Sequence, residues 1–480
     1  GGCARWRAPP VPGADRQDTS QGTVDSANAI RYTSAMTSPP PSPRAAAFAV
    51  LEQTLRHIRP LDDVLAADPG MRLLSARDRA FARLIIATTL RRKGQIDDVI
   101  GHCVAHPLPK RARAVHDILR LGIAQLLFLG TPAHAAVATT VDLAQSLGFG
   151  SHKGLVNAVL RRLTREGGDL VAAQDAARLN TPIWLWQSWS KAYGEEVARA
   201  IAHQHLAEPP LDITVKDDPA GWAERLDASQ LVTGSLRRRA TPALAPPDAD
   251  AQPRQHTPIT QLDGYGQGAW WVQDAAAALP VRLLGDVGGR TVIDLCAAPG
   301  GKTAQLAAAG ARVIAVERAR GRLELIEQNL ARLKLSAEII HADALAWRPA
   351  EPASMVLLDA PCTATGTLRR HPDIAHNKTA ADVKRSVQLQ DRLLTAAGEM
   401  VAPGGVLVYA VCSLEPVECE VRIDALLAAG APFQREPIAA GEIGATPEMI
   451  SATGDLRTLP CHMAAEGGID GFYACRLRRL

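Results

Sequence analysis

Two cysteines, Cys362 and Cys412, stand where a thiol could serve as a nucleophile, one directly behind Asp359-Ala-Pro and the other directly before Ser-Leu-Glu-Pro. Each follows an apolar run that reads as a core strand, so both should face the same cleft at the strand ends. A buried cysteine is commonly an inert small hydrophobe, and either one alone would be read that way. Next to a methyl donor, however, a thiolate has a definite use. Carbon 5 of a pyrimidine is a poor nucleophile until a thiolate adds to carbon 6, after which it is enamine-like and can attack a sulfonium methyl group. An acid that hydrogen-bonds ring nitrogen 3 eases the addition, and Asp359 is placed for that. Lys302 and the run Arg369-Arg370-His371 could lower a thiol pKa or hold phosphates. The residues alone do not say which cysteine attacks.

The methyl-donor site is expected around Thr291 to Thr303, TVIDLCAAPGGKT. Val292, Ile293 and Leu295 read as a buried strand that runs into Pro299-Gly300-Gly301, and helical spacing resumes at Ala304. Glycines let backbone approach a ligand, and the free N–H groups of a helix start favour a carboxylate. The stretch lacks the dinucleotide spacing G-x-G-x-x-G. Gly301-Lys302-Thr303 fits the end of a phosphate loop, but Cys296 occupies the place of that loop's first glycine. Glu317, closing the second strand, could hold ribose hydroxyls. Asp343, after the third, could accept from an adenine amino group. With no second glycine finger for a pyrophosphate, adenosine carrying a carboxylate tail fits better than a dinucleotide, which points to S-adenosylmethionine.

The elements that must position these residues alternate in period from about Gly268. Strands are expected at 291–297, 311–317, 337–342, 354–359 and 405–411, with helices at 301–309, 320–333, 380–401 and 416–429. That order predicts a mostly parallel α/β sheet covered on both faces, a Rossmann-like fold with ligands at the carboxyl ends of its strands. Ahead of it, 44–170 reads as an all-α domain of five to seven helices, beginning at a Ser42-Pro43 cap. Between them, 171–262 reads as a small α+β module. In it a helix runs from Thr181 to about His205, Leu211–Lys216 alternates as a strand, and 241–258 is a Pro- and Asp-rich loop. Residues 1–43 have a disordered composition, with Met36 as the expected natural start and 1–35 as upstream read-through. The catalytic domain is expected over 263–480.

Composition narrows the class. With 47% hydrophobic and 21% charged residues the chain is of the globular type, and no apolar run is long enough to span a membrane. Its eight cysteines form no C-x-x-C pair, so neither a disulfide framework nor a metal site is expected, which fits a cytoplasmic location. The net charge of +3 is unevenly placed, because residues 44–170 carry 18 basic against 11 acidic side chains. Arg91-Arg92-Lys93, Lys110-Arg111-Arg113 and Arg161-Arg162-Arg165 lie largely off the apolar stripes, and together they favour RNA contact over a merely solvated surface.

DLCAAPGGKT, DAPCTATGTLRRHPD (359–373) and YAVCSLEPVECE (409–420), in that order, resemble the RsmB/Sun group of bacterial 16S ribosomal RNA cytosine-C5 methyltransferases. DGFYACRL (470–477) resembles that family's closing strand, and HAAVATTVDLAQ…VNAVLRRL (134–163) resembles its NusB-like RNA-binding domain. The resemblance covers roughly 44–480. It implies a class I methyltransferase fold acting on 16S ribosomal RNA, with no DNA or membrane partner, as a monomer. It further implies that Cys296, Ala297, Ala298, Pro299, Gly300, Gly301 and Lys302 line the methionine and ribose end of S-adenosylmethionine, with Glu317, Asp343 and Asp359 completing the site. It assigns Cys412 as the nucleophile and Cys362 as the group that helps free the methylated base. The target cytosine must leave its stack to reach either thiol. Two features depart from the family. The ribose acid is Glu317 where Asp is usual, and Ile213-Thr214-Val215-Lys216 stands where an Arg-x-Asn strand is common, which leaves the module's RNA contacts open. The competing readings are a transfer RNA substrate and a catalytically silent RNA-binding assembly or antitermination factor.

Overall fold

In the N-terminal part, side-chain oxygens cap the helices where the sequence offers them. Ser42 accepts from the Ala45 N–H, Asp68 from Met71 and Ser75 from Asp78. The computed structural model describes residues 42–106, 108–109, 112–238, 257–439 and 441–480. The expectations for 1–41, for Lys110 and Arg111, and for all but the end of the 241–258 loop lie outside the described residues. Eight α-helices occupy this part among the described residues: Pro43–Arg56, Leu61–Ala67, Pro69–Leu73, Ala76–Arg91, Lys93–Cys103, Arg113–Ile123, Ala133–Ser146 and Lys153–Ala172. The count exceeds the expected five to seven because Leu61–Ala67 and Pro69–Leu73 are too short to display an apolar period. Their faces close over a core that includes Leu51, Ile85, Ile118 and Leu160.

The single helix expected from Thr181 to His205 is two helices, Ile183–Tyr193 and Glu195–Gln204. Gly194, at φ +85°, breaks it in a conformation that side chains disfavour. A small antiparallel sheet follows in the order β2-β3-β1-β4: β1 is Leu211–Val215, β2 Ala228–Gln230, β3 Leu236–Arg238 and β4 Trp270–Val272. Trp222 and Trp270 fill its core.

The large sheet contains β5 (Thr291–Leu295), β6 (Arg312–Glu317), β7 (Glu338–His341), β8 (Ala353–Asp359), β9 (Val401–Val411), β10 (Phe433–Arg435), β11 (Leu456–Thr458) and β12 (Phe472–Arg479). Its order is β10-β12-β9-β8-β5-β6-β7, with β11 also on β12. The five strands from β5 to β9 pair in parallel, while β12 runs antiparallel to β9, β10 and β11. Alternate residues face opposite layers. Val292, Leu357 and Val408 meet Leu279 and Leu306, whereas Ile293, Val356 and Leu407 meet Leu393 and Ile423. The fold is therefore the mostly parallel, Rossmann-like α/β sheet anticipated, made mixed by an antiparallel edge in which β10 and β11 have only 3 residues each, whereas the 8-residue β12 falls in the stretch that resembles a closing strand. Glu317, Asp359 and Cys412 all fall at the carboxyl ends of parallel strands, on one rim of the sheet.

Candidate active site

The rim begins where β5 ends. Cys296 has φ +60° and Gly300 φ +97°, and the helix Gly301–Ala308 starts immediately after. A Cβ on Gly300 would lie 3.3 Å from the Ile326 backbone, so only glycine meets both the conformation and the close packing. Helix Arg320–Leu333 holds the turn from outside: the Arg322 guanidinium donates to the Ala298 carbonyl at 2.7 Å and the Asn329 amide to that of Pro299 at 3.0 Å. Ala297 and Ala298 are buried, Pro299 is exposed, and burial pushes the Cys296 thiol up to about 12, so it stays neutral.

Glu317 is buried, and its two oxygens accept from the Ala298 N–H at 3.3 Å and the Ala319 N–H at 2.8 Å. A carboxylate has about four acceptor positions, so capacity for two hydroxyls remains. Asp343 is half-buried and accepts from the Leu345 N–H at 3.0 Å, with the Arg318 guanidinium 3.8 Å away. The turn, the spare acceptors of Glu317 and the free edge of Asp343 fit an adenosine carrying a carboxylate tail.

Lys302, in the first turn of that helix, reaches Asp359 at the end of β8. Its Nζ donates to Oδ2 at 2.8 Å and sits 5.1 Å from the centre of the Phe472 ring. Burial alone would lower the ammonium pKa; Asp359 and Cys412 outweigh it and draw the pKa up, so Lys302 is charged.

The two thiols meet. Cys362 Sγ and Cys412 Sγ are 3.4 Å apart, although 50 residues separate them in the chain. The loops that carry them are joined directly: the Gly366 N–H donates to the Cys412 carbonyl at 3.0 Å, and Thr365 Oγ1 accepts from the Leu414 N–H at 3.0 Å. The hydrogen bond to Cys412, then burial, raise the Cys362 thiol pKa well above its ordinary value. Cys362 therefore keeps its proton at neutral pH and can point it at its neighbour.

Two expectations need correction. Arg369 and Arg370 do not face the cleft to hold phosphates. Arg369 is buried against Asp470 at 3.2 Å, and Arg370 pairs with Asp274 while lying 3.3 Å from Asp470 and 3.5 Å from Asp212. Three buried carboxylates need cations: Arg369 and Arg370 face Asp274 and Asp470, and Asp212 is held on both oxygens by Arg237 at 2.7 Å. Nor does Arg91-Arg92-Lys93 form a solvated RNA face. Arg91 donates to the Arg369 carbonyl at 2.8 Å, Arg92 to that of Leu206 at 2.9 Å, and Lys93 to Asp97 at 2.9 Å. Arg91 thus fastens the N-terminal helices to the loop behind Cys362, and Arg92 fastens them to the end of the helix Glu195–Gln204. Arg113, Arg161 and Arg165 remain exposed as expected, while Arg162 pairs with Glu166 at 2.7 Å.

Sequence reasoning noted Ser413 beside Cys412 but passed over Thr363, Gln390 and Glu418, which with Ser413 form one hydrogen-bonded network behind the thiols, and Phe472, whose ring lies against Lys302. The one available signal was the cluster of three acids, Glu415, Glu418 and Glu420, so close behind Cys412.

Residues 281–478 match the family described as 16S rRNA methyltransferase RsmB/F, and residues 41–165 match the NusB family. The chain is 34% identical over 443 residues to the ribosomal RNA small subunit methyltransferase B of Vibrio cholerae, covering 90% of this chain and 96% of that one. It is 34% identical over 395 residues to the protein of the same name from Cronobacter sakazakii, covering 80% and 89%. Among solved structures, PH0851 shares the fold with a TM-score of 0.69 at 21% identity, over 92% of this chain and all of its own. The NSun6 structure from Pyrococcus horikoshii has a TM-score of 0.51 at 19% identity, over 62% of this chain and 98% of its own.

Proposed function

Because the chain belongs to the RsmB/F family of 16S ribosomal RNA methyltransferases, we propose that it methylates carbon 5 of a cytosine in 16S ribosomal RNA, using S-adenosylmethionine. It would act in the cytoplasm as a monomer. The observation that carries this reading is the 3.4 Å separation of the Cys362 and Cys412 sulfurs at the same sheet rim as the Lys302–Asp359 pair. When bound, S-adenosylmethionine supplies an electrophilic methyl group.

The chain's own residues do the rest. The turn 296–301 and Lys302 receive the methionine end, Glu317 accepts from ribose hydroxyls, and Asp343 accepts from the adenine amino group. Asp359, held by Lys302, accepts from the cytosine amino group beside ring nitrogen 3 and so orients the base. Cys412 adds to carbon 6 as a thiolate, so that carbon 5 becomes nucleophilic. After methylation, water in the cleft takes the carbon 5 proton, that electron pair restores the carbon 5–carbon 6 double bond, the sulfur–carbon bond breaks and Cys412 leaves as a thiolate. The Cys362 S–H then donates to that thiolate and stabilises it as a leaving group. The helical part at 44–170 supplies RNA contacts through exposed Arg113, Arg161 and Arg165, and the module at 171–262 couples it to the catalytic part at 263–480.

The test is to incubate the protein with naked 16S ribosomal RNA, with small-subunit assembly intermediates and with transfer RNA, and to map 5-methylcytosine by bisulfite sequencing. Protection of a cytosine in 16S RNA, lost in Cys412→Ala, is expected. Methylation of transfer RNA alone, or of no cytosine, would overturn the reading.

A further inference from the structure

Glu418 is fully buried and lies within the loop that follows Cys412. Its carboxylate collects donors from both thiol loops. Oε1 accepts from the Thr363 N–H at 3.0 Å and from Gln390 Nε2 at 3.2 Å; Oε2 accepts from the hydroxyls of Thr363 and of Ser413, the latter at 2.6 Å. Thr363 is the residue after Cys362 and Ser413 the residue after Cys412, so one carboxylate holds the immediate neighbours of both sulfurs. Helix Ile183–Tyr193 closes the loop from outside: the Tyr193 hydroxyl donates to the Leu414 carbonyl at 2.5 Å, and Trp189 Nε1 to Glu415 at 3.1 Å. Tyr409 adds a third restraint by donating to the Glu418 carbonyl at 2.7 Å.

We propose that Glu418 is a positioning residue that sets the distance between Cys362 and Cys412 by holding Thr363 and Ser413 on one carboxylate. This deepens the reading above and rests on it for its catalytic consequence. Glu418 touches neither base nor methyl donor. It acts by keeping the Cys362 S–H within reach of the Cys412 sulfur, and its charge also favours the protonated form of Cys362. Without that geometry Cys412 still reaches carbon 6, but its departure loses the proton donor, so the step affected is release of the methylated base. A misplacement near 1 Å costs about a hundredfold in a reaction that depends on alignment.

Glu418→Gln keeps the shape of the side chain but disrupts the network, because an amide group replaces one acceptor oxygen with a donor that faces donors. Full-length wild type and Glu418→Gln are compared in two assays, with S-adenosylmethionine binding by calorimetry as a control for the folded site. The first is bridging of the two sulfurs by phenylarsine oxide, read by mass spectrometry, which needs no RNA. The second is single-turnover methyl transfer with the covalent protein–RNA adduct quantified on denaturing gels. Expected are cofactor affinity within threefold of wild type, at least tenfold slower bridging, and an adduct that forms but resolves at least tenfold more slowly. Bridging and resolution within twofold of wild type would overturn the proposal. Should Glu418→Gln fail to fold, Thr363→Val removes one hydroxyl donor while keeping shape and the backbone N–H. It should slow both readouts in the same direction, and wild-type values in it would be equally contradictory. If the wild type neither methylates cytosine nor forms an adduct, the functional reading fails, while the bridging assay still judges Glu418.

Discussion

Lys302 Nζ lies 2.8 Å from Asp359 Oδ2, and the two side chains differ in exposure, 10% for the lysine and 29% for the aspartate. The ammonium is thus sealed behind a carboxylate that keeps an edge open to the cleft, as a group that must meet a substrate requires. Asp359→Asn should leave Lys302 buried without an anionic partner. Breaking a fully buried pair costs about 3–5 kcal/mol, and the exposure of Asp359 reduces this to about 1–3 kcal/mol. The pKa of Lys302 is raised, so the stabilisation is complete below the lysine's unfolded value and is lost only as pH rises through the higher folded one. Thermal melts of Asp359→Asn should therefore fall below wild type throughout the neutral range, with methyl transfer reduced at least a hundredfold.

The N-terminal helices grip the loop behind Cys362 through Asp62 and His371, 3.1 Å apart. The Leu61 N–H adds a bond to Asp373 at 3.0 Å. Burial works against the imidazolium, but Asp62 prevails and raises the His371 pKa; the same hydrogen bond holds the Asp62 carboxyl below its usual range. The histidine's contribution is complete below about 6.5, its unfolded value, and disappears as pH rises through its raised folded value. The aspartate's contribution is present above its unfolded value and disappears as pH falls through its lowered one. The pair is strongest between these limits. Both side chains are about half exposed, so it is worth under about 1 kcal/mol. His371→Gln should cost a small amount of stability in melts near pH 5.5 and nothing near pH 9.

Iodoacetamide should discriminate between the thiols. The raised pKa of Cys362 keeps it protonated at pH 8, and a protonated thiol alkylates slowly. Peptide mapping at partial modification should find the label on Cys412 at least tenfold ahead of Cys362, and saturating S-adenosylmethionine should slow it. Equal labelling would contradict the proton placement.

Asp294 is fully buried on β5, with one oxygen accepting from Thr303 Oγ1 at 2.6 Å, and burial raises its pKa to about 7. A raised acid stabilises the fold fully below its unfolded value, about 3.9, and loses that contribution as pH climbs through its folded value. Asp294→Asn, which keeps an acceptor for Thr303, should therefore be more stable than wild type at pH 8, by about 1–3 kcal/mol, and equal to it near pH 4. Melts at the two pH values check this.

The sheet and its ligand rim were readable because parallel strands buried on both faces leave continuous apolar runs, as in β6, β8 and β9, whereas β7, at the sheet edge with no buried residue, offers only Ile339-Ile340. The turn at Gly300 announced itself through composition. Charge was less transparent: Arg369, Arg370 and the Arg91 cluster read as a surface for RNA, yet their partners, Asp212, Asp274, Asp470 and the Leu206 carbonyl, lie far away in sequence. Whether an arginine meets solvent or a buried carboxylate is decided by tertiary packing, which no local pattern records. The break at Gly194 was missed because one glycine in a helical pattern is often tolerated. Cys362 and Cys412 could be assigned to one cleft from strand topology alone, but Glu418 could not, since its role depends on two loops meeting.

The central claim is that the two sulfurs divide the work, Cys412 attacking and Cys362 releasing. Its most direct test is to incubate Cys412→Ala and Cys362→Ala separately with S-adenosylmethionine and 16S ribosomal RNA and to run denaturing gels for a covalent protein–RNA band. The account predicts no band and no methyl transfer with Cys412→Ala, and a persistent band with Cys362→Ala. A band that accumulates in Cys412→Ala and is absent in Cys362→Ala would contradict it.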